Sequence, residues 1–253
     1  MKKKKLFSVL SAEGKSSIFN PGFAAGVLLL TVVFVTAGYS YMEYLLEMGG
    51  SVEGAPWIVL FTYCISSDQS LLLLPLFVPL AASGNAQTEL KSRFCLFLAE
   101  RSGKKEYLLG KVSGAAISGG LMTVFSYILT LCIVSIACMN ITDVSRNVSE
   151  LPVWNLFFEF LCGFLNGALW SLAGSAAAVL TKNSYLAYAS PFIFYYVMTM
   201  FQERYYENLY FLSPKQWAFP SYYGTAFCVF VLLFLDLALS GLLIKSIERR
   251  LLR

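Results

Sequence analysis

The chain has 253 residues, 57% of them hydrophobic and 13% charged, with a net charge of +4 and a mean hydropathy of +0.65. Soluble domains carry about 25% charge, so half of the usual solvating surface is missing, and disorder and coiled coils, both charge-rich, are excluded. Six spans of about 20 residues would use roughly half the chain, which is the arithmetic of one polytopic membrane domain.

Taken in order, the gaps between charged residues have membrane length. Residues 16–42 carry no charge, and the centre of that stretch, Phe23–Tyr41, is long enough to cross a bilayer. The tetralysine Lys2–Lys5 ahead of it looks like the start of a signal peptide. The apolar stretch begins far downstream, runs long and lacks a small-residue cleavage site, so the expectation is an uncleaved anchor. Residues 1–20 then form a cytoplasmic amphipathic segment, with Leu6, Phe7, Val9 and Leu10 among lysines. Further gaps cover 69–88, 112–142, 160–181, 183–202 and 216–235, the last continuing apolar past Asp236 to Ile244. The predicted fold is all-α, one transmembrane domain over 1–253 with six transmembrane helices. Residues 54–67 are apolar but too short to span; they read as an outer interfacial helix or as an extension of the second span that puts Asp68 near the outer surface. The aromatic stretch 205–223, with Trp217 and two prolines, reads as an outer interfacial loop.

Lysine and arginine set the orientation. With both termini cytoplasmic, the inner segments hold sixteen basic residues and the outer ones only Arg146, Arg204 and Lys215. That asymmetry is a positive-inside signal and favours an even number of spans. Acids gather on the outer side, among them Glu43, Glu47, Glu53, Asp143, Glu150, Glu203 and Glu207.

The chain has no histidine, which removes histidine triads, HExxH zinc sites and histidine proton relays. Its six cysteines (Cys64, Cys95, Cys132, Cys138, Cys162 and Cys228) show no CxxC and sit mostly in apolar runs, as small apolar filling rather than metal ligands or a disulfide framework. No metal, cofactor, nucleic acid or catalytic group is expected. Gly14-Lys15-Ser16 mimics the end of a phosphate loop, but position 9 is Val and no strand precedes it.

The inner loop after the second span is the most informative piece. In Thr88–Arg101, Leu90, Phe94, Phe97 and Leu98 share one helical face, with Glu89, Ser92, Arg93, Glu100 and Arg101 largely off it. Such a helix suits either the inner membrane surface or a cytosolic partner. The run TELKSRFCLFLAERSGKKEYLLGK, lying between two apolar spans, resembles the permease subunits of type-2 ABC exporters. In that family an acid, here Glu89, opens a short cytoplasmic coupling helix, here 89–103, and a stretch like Arg101, Ser102, Tyr107 and Lys111 follows. The family often has Gly where this chain has Arg93. The resemblance implies a dimer of permeases in a bacterial cytoplasmic membrane, with the second subunit identical or related, and a separate ABC ATPase seated on the coupling helices. ATP hydrolysis then belongs to the partner. Glu89, Arg93, Phe94, Phe97, Glu100 and Arg101 are the implied ATPase-coupling residues.

Small residues recur at four-residue spacing at Gly22 and Gly26, at Gly110, Gly114 and Ser118, and at Gly163, Gly167, Ser171 and Ser175. Such stripes let helices approach closely in lipid, and packing within one subunit is favoured over a subunit interface. Asp236 is an intramembrane acid, costing roughly 2.5–3.5 kcal/mol near mid-bilayer, with the Ser240 hydroxyl one turn away as an available donor; a satisfied structural acid is favoured over a proton- or ion-coupling role. Glu159 is expected near the outer end of the fourth span, where exposure costs little. The leading function is an exporter permease for a hydrophobic or amphipathic cargo, such as a peptide, antimicrobial or lipid. The alternatives are an ion-coupled secondary transporter, for which no internal repeat is visible, and a non-transporting accessory or immunity protein. An intramembrane enzyme ranks last.

Overall fold

A computed structural model describes residues 2–47, 56–139, 153–218 and 224–251, with the side chains of 2–8, 46–47 and 153 outside that description. Every regular element among the described residues is helical. The order is α1 (Lys2–Ile18), α2 (Pro21–Glu47), α3 (Pro56–Ser66), α4 (Asp68–Phe77), α5 (Asn85–Lys91), α6 (Phe94–Ser102), α7 (Lys104–Cys138), α8 (Val153–Thr181), α9 (Leu186–Tyr205), α10 (Pro214–Ala218) and α11 (Thr225–Leu251), with 3-10 turns at Val78–Leu80 and Tyr210–Leu212.

Five segments are long and apolar enough to cross a bilayer: Pro21–Leu45, Asp68–Lys91, Lys104–Cys138, Trp154–Thr181 and Thr225–Leu251. This is the pattern of a multi-pass membrane protein. Only 22% of the most apolar stretch of α11 is buried, and its uncovered face carries Phe230, Phe234 and Leu237. Exposed apolar surface on that scale needs lipid or protein against it. The remaining expected span, 183–202, corresponds to α9. Its 20 residues reach about 30 Å, but Tyr188, Tyr195, Tyr196 and Gln202 dilute its apolar character below that of the other five. The expected outer residues Glu53, Asp143, Arg146 and Glu150 lie outside the described residues.

The antiparallel pair α7 and α8 forms the centre; α1 and α2 pack on α7, α11 packs on α8 and α7, and α9 packs on α8 and α4. Small residues make the central contact possible. A Cβ at Gly167 would lie 2.5 Å from the Gly119 carbonyl oxygen, and one at Gly119 would overlap Ser171. Thr123 Oγ1 adds an interhelical hydrogen bond to the Gly163 carbonyl at 2.9 Å. Gly110 and Gly114 face Val9, Glu13 and Ser17 of α1, while Gly26 faces Met122 and Phe77. Close packing within one chain therefore accounts for these stripes.

The second expected span is not one helix. Pro75 lies inside α4 and Pro79 in the 3-10 turn that follows, each removing a backbone donor, and the chain turns through 81–84 before α5 begins. Asn20 Nδ2 satisfies a backbone group at the break by donating to the Ala81 carbonyl at 3.2 Å, and Ser83 Oγ ties the turn to α8 by donating to the Ser171 carbonyl at 3.0 Å. Irregular backbone at this depth is tolerated where protein covers it.

Residues 56–66, expected as an interfacial helix or as an extension of the second span, form a helix that packs into the bundle and leads directly into α4. Leu60, Phe61, Cys64 and Ile65 of α3 are buried, and the helix packs on α2 and α7 before Ser67 caps the start of α4 through the Ser70 amide. Phe61 stacks on Phe160 and meets Tyr127 edge-on. Trp217 of α10 is likewise folded inward, with its Nε1 donating to the Phe211 carbonyl at 2.7 Å; residues 219–223 of the expected loop lie outside the described residues.

The described ends of the chain converge. Glu13 of α1 pairs with Lys111 near the start of α7, Lys104 pairs with Glu248 near the end of α11 at 3.0 Å, and Arg250 donates to Gln87 of α5. At the opposite end Lys215 bridges Asp68 at 3.1 Å and Glu203 at 3.3 Å. Burial alone would lower the Lys215 pKa, but the Asp68 and Glu203 carboxylates outweigh it and raise it. The helix α9 runs from Ala187, beside Gly174 of α8, to Glu203 in this second cluster.

Candidate functional site

The residues singled out by the loop pattern lie at the end where α1, α5, α6, α7 and the end of α11 meet. Tyr107 and Lys111 are one helical turn apart on α7 and so share a face. Toward that face α5 presents Glu89, which accepts from Lys111 Nζ at 2.5 Å and from Tyr107 Oη at 3.1 Å. From α1 comes Glu13, 2.6 Å from the same ammonium. The Lys111 side chain is only 5% exposed, against 18% for Glu13 and 23% for Glu89. Lys111 Nζ also lies 5.7 Å from the Tyr107 ring centroid, within cation–π range.

Chemically, this cluster is a clamp: one buried cation joins two carboxylates from two other helices. A buried ion pair adds little net stability, but removing one partner strands a desolvated charge, so the three elements are locked in one arrangement. Above the clamp, Val9, Ala12, Glu13, Leu98, Arg101 and Tyr107 line a cavity of about 430 Å³ between α1, α6 and α7.

The single helix expected across 89–101 is two helices. α5 ends at Lys91, Arg93 adopts a left-handed backbone (φ 59°), and α6 starts at Phe94. That break turns the expected apolar stripe apart. Cys95 points inward at 3% exposure, whereas Phe94 (53%) and Phe97 (71%) are exposed, as is Leu96. Glu100 and Arg101 are exposed as well. The structure thus joins Glu89 to Tyr107, Lys111 and Glu13, and leaves Arg93, Phe94, Phe97 and Glu100 on the surface of the α5–α6 elbow. Burial first, and then the nearby Glu89 carboxylate, push the Cys95 thiol above its ordinary value.

Sequence reasoning missed Glu13. The available signal was that it is the one acid among the first 42 residues, set between lysines. It also misjudged two acids within the spans. Glu159 is not an exposed end residue: its Oε1 accepts from Thr62 Oγ1 of α3 at 2.9 Å, and its Oε2 is buried without a partner. Asp236 is half-buried, and its Oδ1 is buried with no hydrogen-bond partner, from Ser240 or elsewhere.

An unpartnered buried polar oxygen destabilises by about 1–3 kcal/mol. Asp236→Leu is therefore expected to raise thermal stability in detergent by about that amount. A fall in the unfolding midpoint would mean that the carboxylate holds a bond that the protein atoms do not supply. Among the described residues no cluster of metal-ligating side chains occurs.

No protein-family model matches the chain, and neither does any curated protein. The functional reading therefore rests on the geometry above together with the loop pattern.

Proposed function

We propose that the chain is the permease subunit of an ATP-binding-cassette exporter, that α6 is its coupling helix, and that a separate ATPase docks on the α5–α6 elbow. The observation that carries this reading is the elbow itself: Phe94, Leu96 and Phe97 are exposed on α6 beside charged Glu100 and Arg101, and the other arm of the elbow, α5, is tied to α1 and α7 by the buried Lys111 clamp. Exposed aromatic residues rimmed by charge suit a protein partner. A clamp that locks the elbow to α7 suits force transmission, because a push on α6 is passed to a spanning helix rather than absorbed by a flexible loop.

In this reading the clamp end is cytoplasmic, as the basic excess of that side implies, and α9 is the sixth span. Its run from Ala187 beside α8 to Glu203 beside Lys215 and its exposed Ile193, Phe194 and Val197 support that crossing. Cargo is hydrophobic or amphipathic, and the second permease subunit, identical or related, packs mainly against α2 and α9. The location is a bacterial cytoplasmic membrane.

Phe94→Asp/Phe97→Asp tests the reading, with a phosphate-loop ATPase first identified by copurification with the unaltered chain and then coexpressed with the variant. Both positions are exposed, so the fold is expected to persist while copurification of the ATPase and export fall at least tenfold. Full export by the double variant would refute it.

The unpartnered oxygens of Glu159 and Asp236 favour a second reading, ion-coupled transport. Transport that follows an ion gradient and is lost in Glu159→Gln, without any ATPase, would establish it instead.

A further inference from the structure

A second cavity, of about 340 Å³, lies on the other side of the elbow, between Arg93, the end of α8 and the end of α11. Its charged lining is wholly basic: Arg93, Lys182 and Arg250, set against Leu90, Leu96 and Leu251. None of these three cations makes an ion pair among the described residues. Arg250 is steadied by donating one bond to buried Gln87, which leaves its remaining donors free of charged partners.

The backbone adds an independent observation. Among the described residues, Arg93 (φ 59°) and Lys182 (φ 60°) are the only non-glycine residues with positive φ, and both line this cavity. Left-handed backbone is unfavourable for residues with a Cβ and collects at binding sites, where the surroundings hold it in place. Lys182 directly follows the last residue of α8, and Arg250 lies one residue from the end of α11. Both helices are long and apolar enough to span, and helices of this length that cross a bilayer end near the depth of its lipid phosphates.

We propose that Arg93, Lys182 and Arg250 bind the phosphate headgroup of an anionic phospholipid, with the leucines of the cavity receiving the start of its acyl chains. Convergent, unpaired basic groups beside an apolar wall at a helix end suit such a ligand better than a wholly water-soluble anion. The site stands apart from the Lys111 clamp and does not depend on the exporter reading; Leu96 lies on the border between it and the exposed Phe94–Phe97 face of α6.

The test uses the full chain in an uncharged maltoside detergent. It is titrated with dioctanoyl-phosphatidylglycerol, dioctanoyl-phosphatidylcholine or inorganic phosphate, and binding is followed by native mass spectrometry. Phosphatidylglycerol is expected to bind at least tenfold more tightly than phosphatidylcholine. Each cation removed is expected to weaken it about fivefold, so that Arg93→Gly/Lys182→Gly/Arg250→Gln loses roughly a hundredfold. Glycine suits the left-handed positions, so Arg93→Gly/Lys182→Gly, which spares the Gln87 contact, serves as a second variant with an expected loss of about 25-fold and an unchanged or higher melting temperature. Equal affinity for the two lipids, or unchanged phosphatidylglycerol binding in either variant, would overturn the proposal. Displacement of phosphatidylglycerol by an equal concentration of inorganic phosphate would overturn the lipid assignment in favour of a free anion.

Discussion

Replacing Lys111 with methionine is expected to destabilise the protein by about 3 kcal/mol, the lower end of the range for breaking a buried ion pair. The lower end applies because Glu13 and Glu89 keep 18% and 23% of their side-chain surface in contact with solvent. Methionine matches the length of the lysine stem, so packing against Tyr107 is largely kept and the loss is electrostatic. Two carboxylates then face each other across a gap with no cation, and Tyr107 is left as the remaining donor to Glu89. Adding Glu13→Gln and Glu89→Gln to Lys111→Met should recover most of the loss, because the stranded charges go with the partner. Lys111→Arg should keep the fold. Thermal or denaturant unfolding of the four proteins in one detergent measures this. A fully stable Lys111→Met variant would mean that the clamp does not hold α1 and α5 to α7.

Gly167→Val is expected to cost about 1–3 kcal/mol by overpacking, and more if α7 and α8 cannot shift apart. Its Cβ would meet the Gly119 carbonyl oxygen at 2.5 Å and Thr123 Oγ1 at 2.6 Å. Backbone cannot rotate away as a side chain can, so the helices must separate, and separation also breaks the Thr123–Gly163 hydrogen bond. Gly241 in α11 supplies the control: a Cβ there has no atom within 4 Å, so Gly241→Ala should be neutral or stabilising by up to about 1 kcal/mol. Equal yields of monodisperse protein for Gly167→Val and Gly241→Ala would contradict tight α7–α8 contact.

What could be read from the sequence was what lipid dictates. Charge-free gaps located α2, α7, α8 and α11, because a bilayer forces about 20 apolar residues per crossing regardless of tertiary partners. The glycine and serine stripes were legible for the same reason: close helix approach leaves a four-residue period. The break in the second span was signalled by Pro75, Pro79 and Gly84 but was submerged in an otherwise apolar run.

Long-range pairing was not legible. Glu13 meets Lys111 across nearly one hundred residues, and only the docking of α1 along α7 makes that contact. Helical periodicity also fails across Arg93, where one left-handed residue redirects every side chain after it. That is why Phe94 and Phe97, expected on one face with Leu90, are exposed while Cys95, off that face, is buried.

The most direct test concerns which side of the membrane the elbow faces. Cys95 is a poor reporter, being buried and with its thiol raised. Phe97→Cys is a better one, placed in a Cys132→Ser background that removes the one exposed native thiol. A membrane-impermeant maleimide should label position 97 in inside-out vesicles and leave it unlabelled in intact cells. Labelling in intact cells would put the elbow outside, beyond the reach of any cytosolic ATPase, and would contradict the account.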